Sequence, residues 1–243
     1  GITMSGSSDD VSDQVETKEL VPPSSTLESK KYQYLSVIFA VNVGLGQTTG
    51  NTWEHFDDLF HGKQTESWKM WFPSMAAAAL FTGLLIDQKM VDKTTMLCVS
   101  LSVLTVAQGI FSMATVDESM TSTDTNWPFL TLPYEHIPLI ATAMATGVTC
   151  TTVPLLEVEW FGSKNIGGMH GIDMLGAIAT QVFFYNGVAN VAPLSTQMWL
   201  QTAASAVGLG FAFALRSEAK SDETRSEEAR EEAAPLVVSM VEE

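Results

Sequence analysis

The stretch WKMWFPSMAAAALFTGLLI, residues 68–86, carries one charged side chain, Lys69, and no strict alternation of polar and apolar positions. At about 1.5 Å per residue a helix of this length spans about 30 Å, the hydrocarbon thickness of a bilayer. A helix satisfies its own backbone groups in hydrocarbon, so the stretch reads as a membrane crossing. Five more segments share its character: residues 32–52, 94–115, 137–158, 166–188 and 198–215. None alternates as a membrane β-barrel strand does. The first, with Asn42, Gln47 and several glycines, is the least apolar. The predicted fold is an all-α membrane protein with six transmembrane helices over residues 32–216. An acidic, Ser- and Pro-containing segment (1–31) reads as a disordered linker or tail, and 217–243 as an acidic C-terminal tail.

The composition agrees. Of the 243 residues 46% are hydrophobic and 16% charged, against about 25% charged in a soluble domain. The net charge of −16 repels phosphates, which excludes nucleic acid as a partner class. Basic residues are sorted by side. With the N-terminal tail inside, six crossings place ten on that side: Lys18, Lys30, Lys31, Lys89, Lys93, Lys164, Arg216, Lys220, Arg225 and Arg230. Only Lys63 and Lys69 fall opposite. This is the positive-inside bias, and it places both termini on the cytoplasmic, matrix or stromal side. Trp53, Trp68, Trp71, Trp127, Trp160 and Trp199 fall near segment ends, where an amphipathic ring prefers the headgroup region.

No nucleophile–base set, phosphate loop or metal-ligand spacing is present, so no enzyme, cofactor or metal is expected. His55, His61, His136 and His170 are dispersed, and Cys98 and Cys150 sit in apolar tracts as packing residues. The informative groups are polar ones at membrane depth. Asp173 lies about two turns into the fifth segment, with His170 one turn earlier. Such a carboxylate either couples protons or contacts substrate inside a bundle, or snorkels to the interface and pairs with Lys164. Glu157 and Glu159, closing the fourth segment, are expected at the interface, paired with Lys164 or Lys89. Asn42, Gln47, Gln108 and Gln181 are either interhelical hydrogen-bonding groups or the lining of a solute site. Gly167 with Gly171, and Ala204 with Gly208, have the spacing for close helix packing, and Pro154 should kink its helix.

After the second segment comes Gly83-Leu-Leu-Ile-Asp87-Gln-Lys89, and after the fourth Glu157-Val-Glu159-Trp-Phe-Gly162-Ser-Lys164-Asn-Ile-Gly167. These resemble the 2–3 and 4–5 loops of the major facilitator superfamily, with Gln88 where the family has a basic residue. The resemblance covers residues 32–216 and implies one six-helix half of a twelve-helix transporter, with the acidic segment before it pointing to the C-terminal half. It implies a cytoplasmic charge network of Gly83, Asp87, Glu157, Glu159 and Lys164. It also implies partners: the lipid bilayer, a small organic solute, and a second six-helix half or partner subunit. The competing expectation is a non-transporting accessory subunit of a large organellar membrane complex. A pigment- or haem-binding bundle using His170 lacks a second histidine across from it.

Overall fold

A computed structural model describes residues 23–51, 68–114 and 136–241, and all its regular elements are helical. A short helix α1 (Pro23–Glu28) leads into α2 (Lys30–Asn51). Then follow α3 (Trp68–Asp87), α4 (Lys93–Ala114), α5 (His136–Phe161), α6 (Ile166–Val182) and α7 (Leu194–Val241). A 3-10 turn (Ser163–Asn165) joins α5 to α6, and a π-helical turn (Phe183–Val188) ends α6. The acidic residues 1–22, Trp53, His55, His61, Lys63 and Trp127 lie outside the described residues.

Four helices, α3, α4, α5 and α7, are long and apolar enough to cross a membrane, as in a multi-pass membrane protein. The other two long helices differ for separate reasons. Helix α6 has 17 α-helical residues before its π turn. Helix α2 is too polar, and its burial explains why. It packs on α5, α6 and α7, and Asn42, Gly44, Gly46, Thr48, Thr49 and Gly50 are all buried. A helix enclosed by protein needs less apolar surface than one facing lipid. Helix α3 is the opposite case: it packs mainly on α5 and exposes Phe72, Leu80, Phe81 and Leu84.

The main core joins Leu35, Ile38, Phe39 and Val43 of α2 to Leu97, Leu101 and Leu104 of α4, Val153 and Leu156 of α5, and Leu215 of α7. A second cluster holds Trp71, Phe111, Leu139, Ala143 and Met198. Trp71 is therefore a core residue rather than a headgroup anchor, whereas Trp199 is exposed. Hydroxyls in these apolar helices bond back to their own turn, as Thr48 does to the Gly44 carbonyl and Thr142 to that of Pro138.

Close helix crossings are made by one of the expected glycines, Gly208, and by two others, Gly44 and Gly147. A Cβ on Gly44 would lie 2.6 Å from Thr180 Cβ, and one on Gly208 2.9 Å from a Val41 methyl. A Cβ on Gly147 would overlap the Met75 carbonyl, with its carbon 3.0 Å away. Around Gly167 and Gly171 there is open space, so that pair makes no crossing here. Helix α5 continues through Pro154 to Phe161, and α7 runs unbroken from the apolar segment through the acidic tail.

The turns are specified locally. Asp92 caps α4, accepting hydrogen bonds from the Thr94 amide at 2.8 Å and the Thr95 amide at 3.2 Å. Helix α3 ends in a Schellman motif, with the Met90 amide on Leu85 O, the Lys89 amide on Ile86 O, and Lys89 at φ 55°. Gly162, at φ 81° and ψ 155°, ends α5 in a region open essentially to glycine alone.

One end of the bundle gathers the basic residues. Lys31 pairs with Asp222 at 2.5 Å and lies over the Trp160 ring, and Lys93 pairs with Glu159. A cleft of about 600 Å³ opens there, with Lys89, Lys93, Glu159, Trp160, Lys220 and Glu223 in its wall.

Candidate functional site

Three ionisable side chains meet where α5, α6 and α2 come together. His170 and Asp173, three residues apart, share one face of α6, and Glu157 approaches from the last turns of α5. One ligand-type atom from each, an imidazole nitrogen and two carboxylate oxygens, lies within 4.8 Å of the others. Glu157 is 0% exposed and Asp173 1%. His170, half-buried, faces Glu157 Oε2 with Nδ1 at 3.5 Å, outside hydrogen-bond geometry.

Helix α2 fixes this cluster from the third side. Ser36 Oγ donates to Asp173 Oδ1 at 2.5 Å. The Tyr32 hydroxyl donates to the Met169 carbonyl at 3.1 Å, tying down the α6 backbone next to His170. The Phe39 ring meets the imidazole edge-on, 5.1 Å between centroids. Both Glu157 oxygens, Asp173 Oδ2 and His170 Nδ1 have no hydrogen-bond partner. No Lys or Arg pairs with either carboxylate among the described residues.

The expected placements divide. Asp173 turns into the bundle and is held by Ser36 rather than pairing with Lys164, which is exposed. Glu157 is buried against α2 and α6 and pairs with neither Lys164 nor Lys89. Glu159 is exposed, and its partner is Lys93, neither Lys164 nor Lys89. Asp87 is exposed and makes no ion pair among the described residues, and Gly83 has open space beside it. Of the residues that the resemblance implies for a charge network, Glu159 is paired with Lys93 of α4, and among the described residues no ion pair joins Asp87 or Lys164.

Two of the neutral candidates form buried hydrogen bonds between helices. Asn42 Nδ2 donates to Ser100 Oγ at 2.9 Å and Thr149 Oγ1 at 2.7 Å, joining α2, α4 and α5. Gln108 Nε2 donates to Thr49 Oγ1 at 2.9 Å. Gln181 is half-buried and Gln47 exposed, so Gln47 lines no internal site. Reading the sequence missed Gln201, fully buried on α7 with neither amide atom bonded, and it missed Ser36. A glutamine four residues into an apolar run was a visible signal. Ser36 gave none, because its partner lies 137 residues away.

The arrangement concentrates up to two negative charges and one imidazole among apolar helices, beside a neutral hydrogen-bonded interior. Such groups at membrane depth are costly, and they mark ion or solute paths more often than packing. No family model, curated protein or solved structure matches this chain.

Proposed function

We propose that this chain is a transport module: six crossings with both ends on one side, one half of a major-facilitator-like secondary transporter that moves a small organic solute. The reading takes α2 as a crossing shielded from lipid by its neighbours, and α6 with its π turn as a short crossing that turns Ile172, Leu175, Ile178 and Phe183 outward. A second six-helix half, a partner subunit or a second copy completes the pathway.

The observation that carries it is the buried Glu157–His170–Asp173 cluster. Two carboxylates in the interior of a helical membrane bundle, unpaired by Lys or Arg, carry a desolvation cost of several kcal/mol each if ionised. A scaffold has no use for that cost, whereas a carrier uses it to hold a cation or a solute's cationic group partway across. The buried amides of Asn42, Gln108 and Gln201 supply neutral contacts for the rest of a small polar molecule.

The test is uptake into vesicles containing the full chain purified together with whatever subunit or second copy it associates with in its membrane, with radiolabelled amino acids and carboxylic acids as probes. At least one probe is expected to exchange faster than in empty vesicles. Asp173→Asn is expected to slow that exchange about tenfold, the loss of one interaction of about 1.4 kcal/mol. Exchange unchanged in Asp173→Asn removes the cluster from the mechanism. No exchange of any probe by folded protein favours the accessory-subunit reading instead.

A further inference from the structure

We propose that Glu157, His170 and Asp173 form a binding site for a divalent first-row transition-metal ion. The claim concerns binding and does not require that the chain transports anything.

Geometry is the first argument. Two ligands about 2.1 Å from one ion lie roughly 3.0–3.4 Å apart in octahedral or tetrahedral arrangements. The His170 Nδ1 to Glu157 Oε2 separation is 3.5 Å, already close to that value. The third donor lies within 4.8 Å, and a side-chain rotation of Asp173 about its Ser36 contact closes the difference. Its free oxygen, Oδ2, is the one available to an ion, while Oδ1 is occupied by Ser36.

Unmet bonding is the second argument. Four buried donor atoms, Glu157 Oε1 and Oε2, Asp173 Oδ2 and His170 Nδ1, have no hydrogen-bond partner. Buried polar groups are satisfied in the great majority of cases; the Glu157 and Asp173 carboxyls can satisfy each other only by sharing a proton, and a metal ion is the partner that would serve all four atoms at once. Two facing buried carboxyls are neutralised by a proton or by a cation, and among the described residues no Lys or Arg pairs with either. Two neighbouring side chains hold the candidate ligands in place. Ser36 orients one carboxylate, and Phe39 fixes the imidazole plane.

One imidazole with two carboxylates is a borderline-hard set, suited to Mn2+, Fe2+, Co2+ or Zn2+ rather than to Ca2+, which takes six to eight oxygens. Entry is from the α6 surface. His170 is half-buried there, and Gly167, Gly168 and Gly171 leave open space around it. The sequence showed no ligand motif because Glu157 lies on a different helix from the other two donors.

The test uses the full chain purified in detergent, stripped with a chelator, dialysed, and titrated with Zn2+, Co2+ and Mn2+. Binding of one ion per chain is expected, with Zn2+ and Co2+ tighter than Mn2+. Co2+ is expected to give visible ligand-field bands that report nitrogen and oxygen coordination. His170→Ala and Glu157→Gln are each expected to weaken binding by more than about tenfold. Ser36→Ala is expected to weaken it by about tenfold, because the Asp173 carboxyl loses the hydrogen bond that orients it. Lys164→Ala, on the exposed loop nearby, is expected to leave it unchanged.

Wild-type protein that binds no stoichiometric metal overturns the proposal, and a proton shared by the two carboxyls then neutralises the pair. Equal binding by wild type and His170→Ala overturns it too, because the ion then sits elsewhere. If the Glu157 variant fails to fold, the half-buried His170 and the wild-type cobalt spectrum still decide. Vesicles that show no uptake while the metal titration succeeds would overturn the transport reading alone.

Discussion

At the scale of single residues, the sequence is most legible where the chemistry is local. Asp92 precedes Lys93-Thr94-Thr95, and an aspartate before a helix start is a cap by spacing alone. The structure shows both amide bonds and hydroxyl contacts from Thr94 and Thr95 as well. Partial burial pushes the Asp92 carboxyl up, but these hydrogen bonds outweigh it and hold it below its ordinary value of 3.8. A carboxyl with a depressed folded-state value adds stability above its unfolded value, and loses it as pH falls through the folded one. Asp92→Ala is therefore expected to cost about 1 kcal/mol at neutral pH, a fall in melting temperature of about 2–4 °C. Thermal unfolding in detergent measures this, and the gap between variant and wild type is expected to narrow as pH falls below the carboxyl's ordinary 3.8. An unchanged melting temperature at pH 7 would refute the cap. Glu157 shows the limit of such reading. Beside Glu159 and Trp160 it looks interfacial, and only the approach of α6 and α2 makes its position an interior one.

At the scale of elements, all six segments are readable because each is a continuous apolar run, and their boundaries fall within a few residues of the observed helices except at the C-terminus of α7. There the acidic sequence gives no apolar signal, and helix-forming Glu, Ala, Lys and Arg carry the helix onward. Pairing between helices was less legible. The spacing of Gly167 and Gly171 resembles a packing motif, yet a methyl at either position meets nothing. Gly147, four residues after Ala143, lets the backbones of α3 and α5 touch at Met75. A small residue marks a crossing only if a partner helix lies over it, which spacing cannot report. Gly147→Ala is accordingly expected to cost about 1–3 kcal/mol as α3 is pushed from α5. Gly167→Ala is expected to raise stability by up to about 1 kcal/mol through helix propensity. Thermal unfolding of the two variants side by side checks this, and the reverse order would refute the assigned crossings.

At the scale of the whole molecule, the open question is how many helices cross the bilayer, and the charged end of the bundle frames it. If only α3, α4, α5 and α7 cross, the start of α2 and the end of the apolar part of α7 lie on one side of the membrane. Lys93 and Lys164 then lie on the other. If α2 and α6 cross as well, all four positions share a side. Lys31 sits over Trp160, at the end of α5, and Lys93, Glu159 and Lys220 line one cleft. These contacts draw the start of α2, the start of α4, the end of α5 and the extension of α7 to a single end. Six crossings keep that end in water and satisfy the positive-inside bias; four crossings would draw Lys31 and Trp160 to opposite faces. The experiment replaces Lys31, Lys93, Lys164 and Lys220 with Cys one at a time in a Cys150→Ala background, leaving the buried Cys98 in place. A membrane-impermeant thiol reagent is then applied to sealed right-side-out and inside-out vesicles. All four thiols are expected to react from the same side, which under the positive-inside bias is the cytoplasmic or equivalent face. A division, with positions 31 and 220 reacting from one side and 93 and 164 from the other, would reduce the chain to four crossings. The half-transporter architecture would fall with it. The Glu157–His170–Asp173 cluster would keep its geometry but sit near one interface rather than within a six-helix wall.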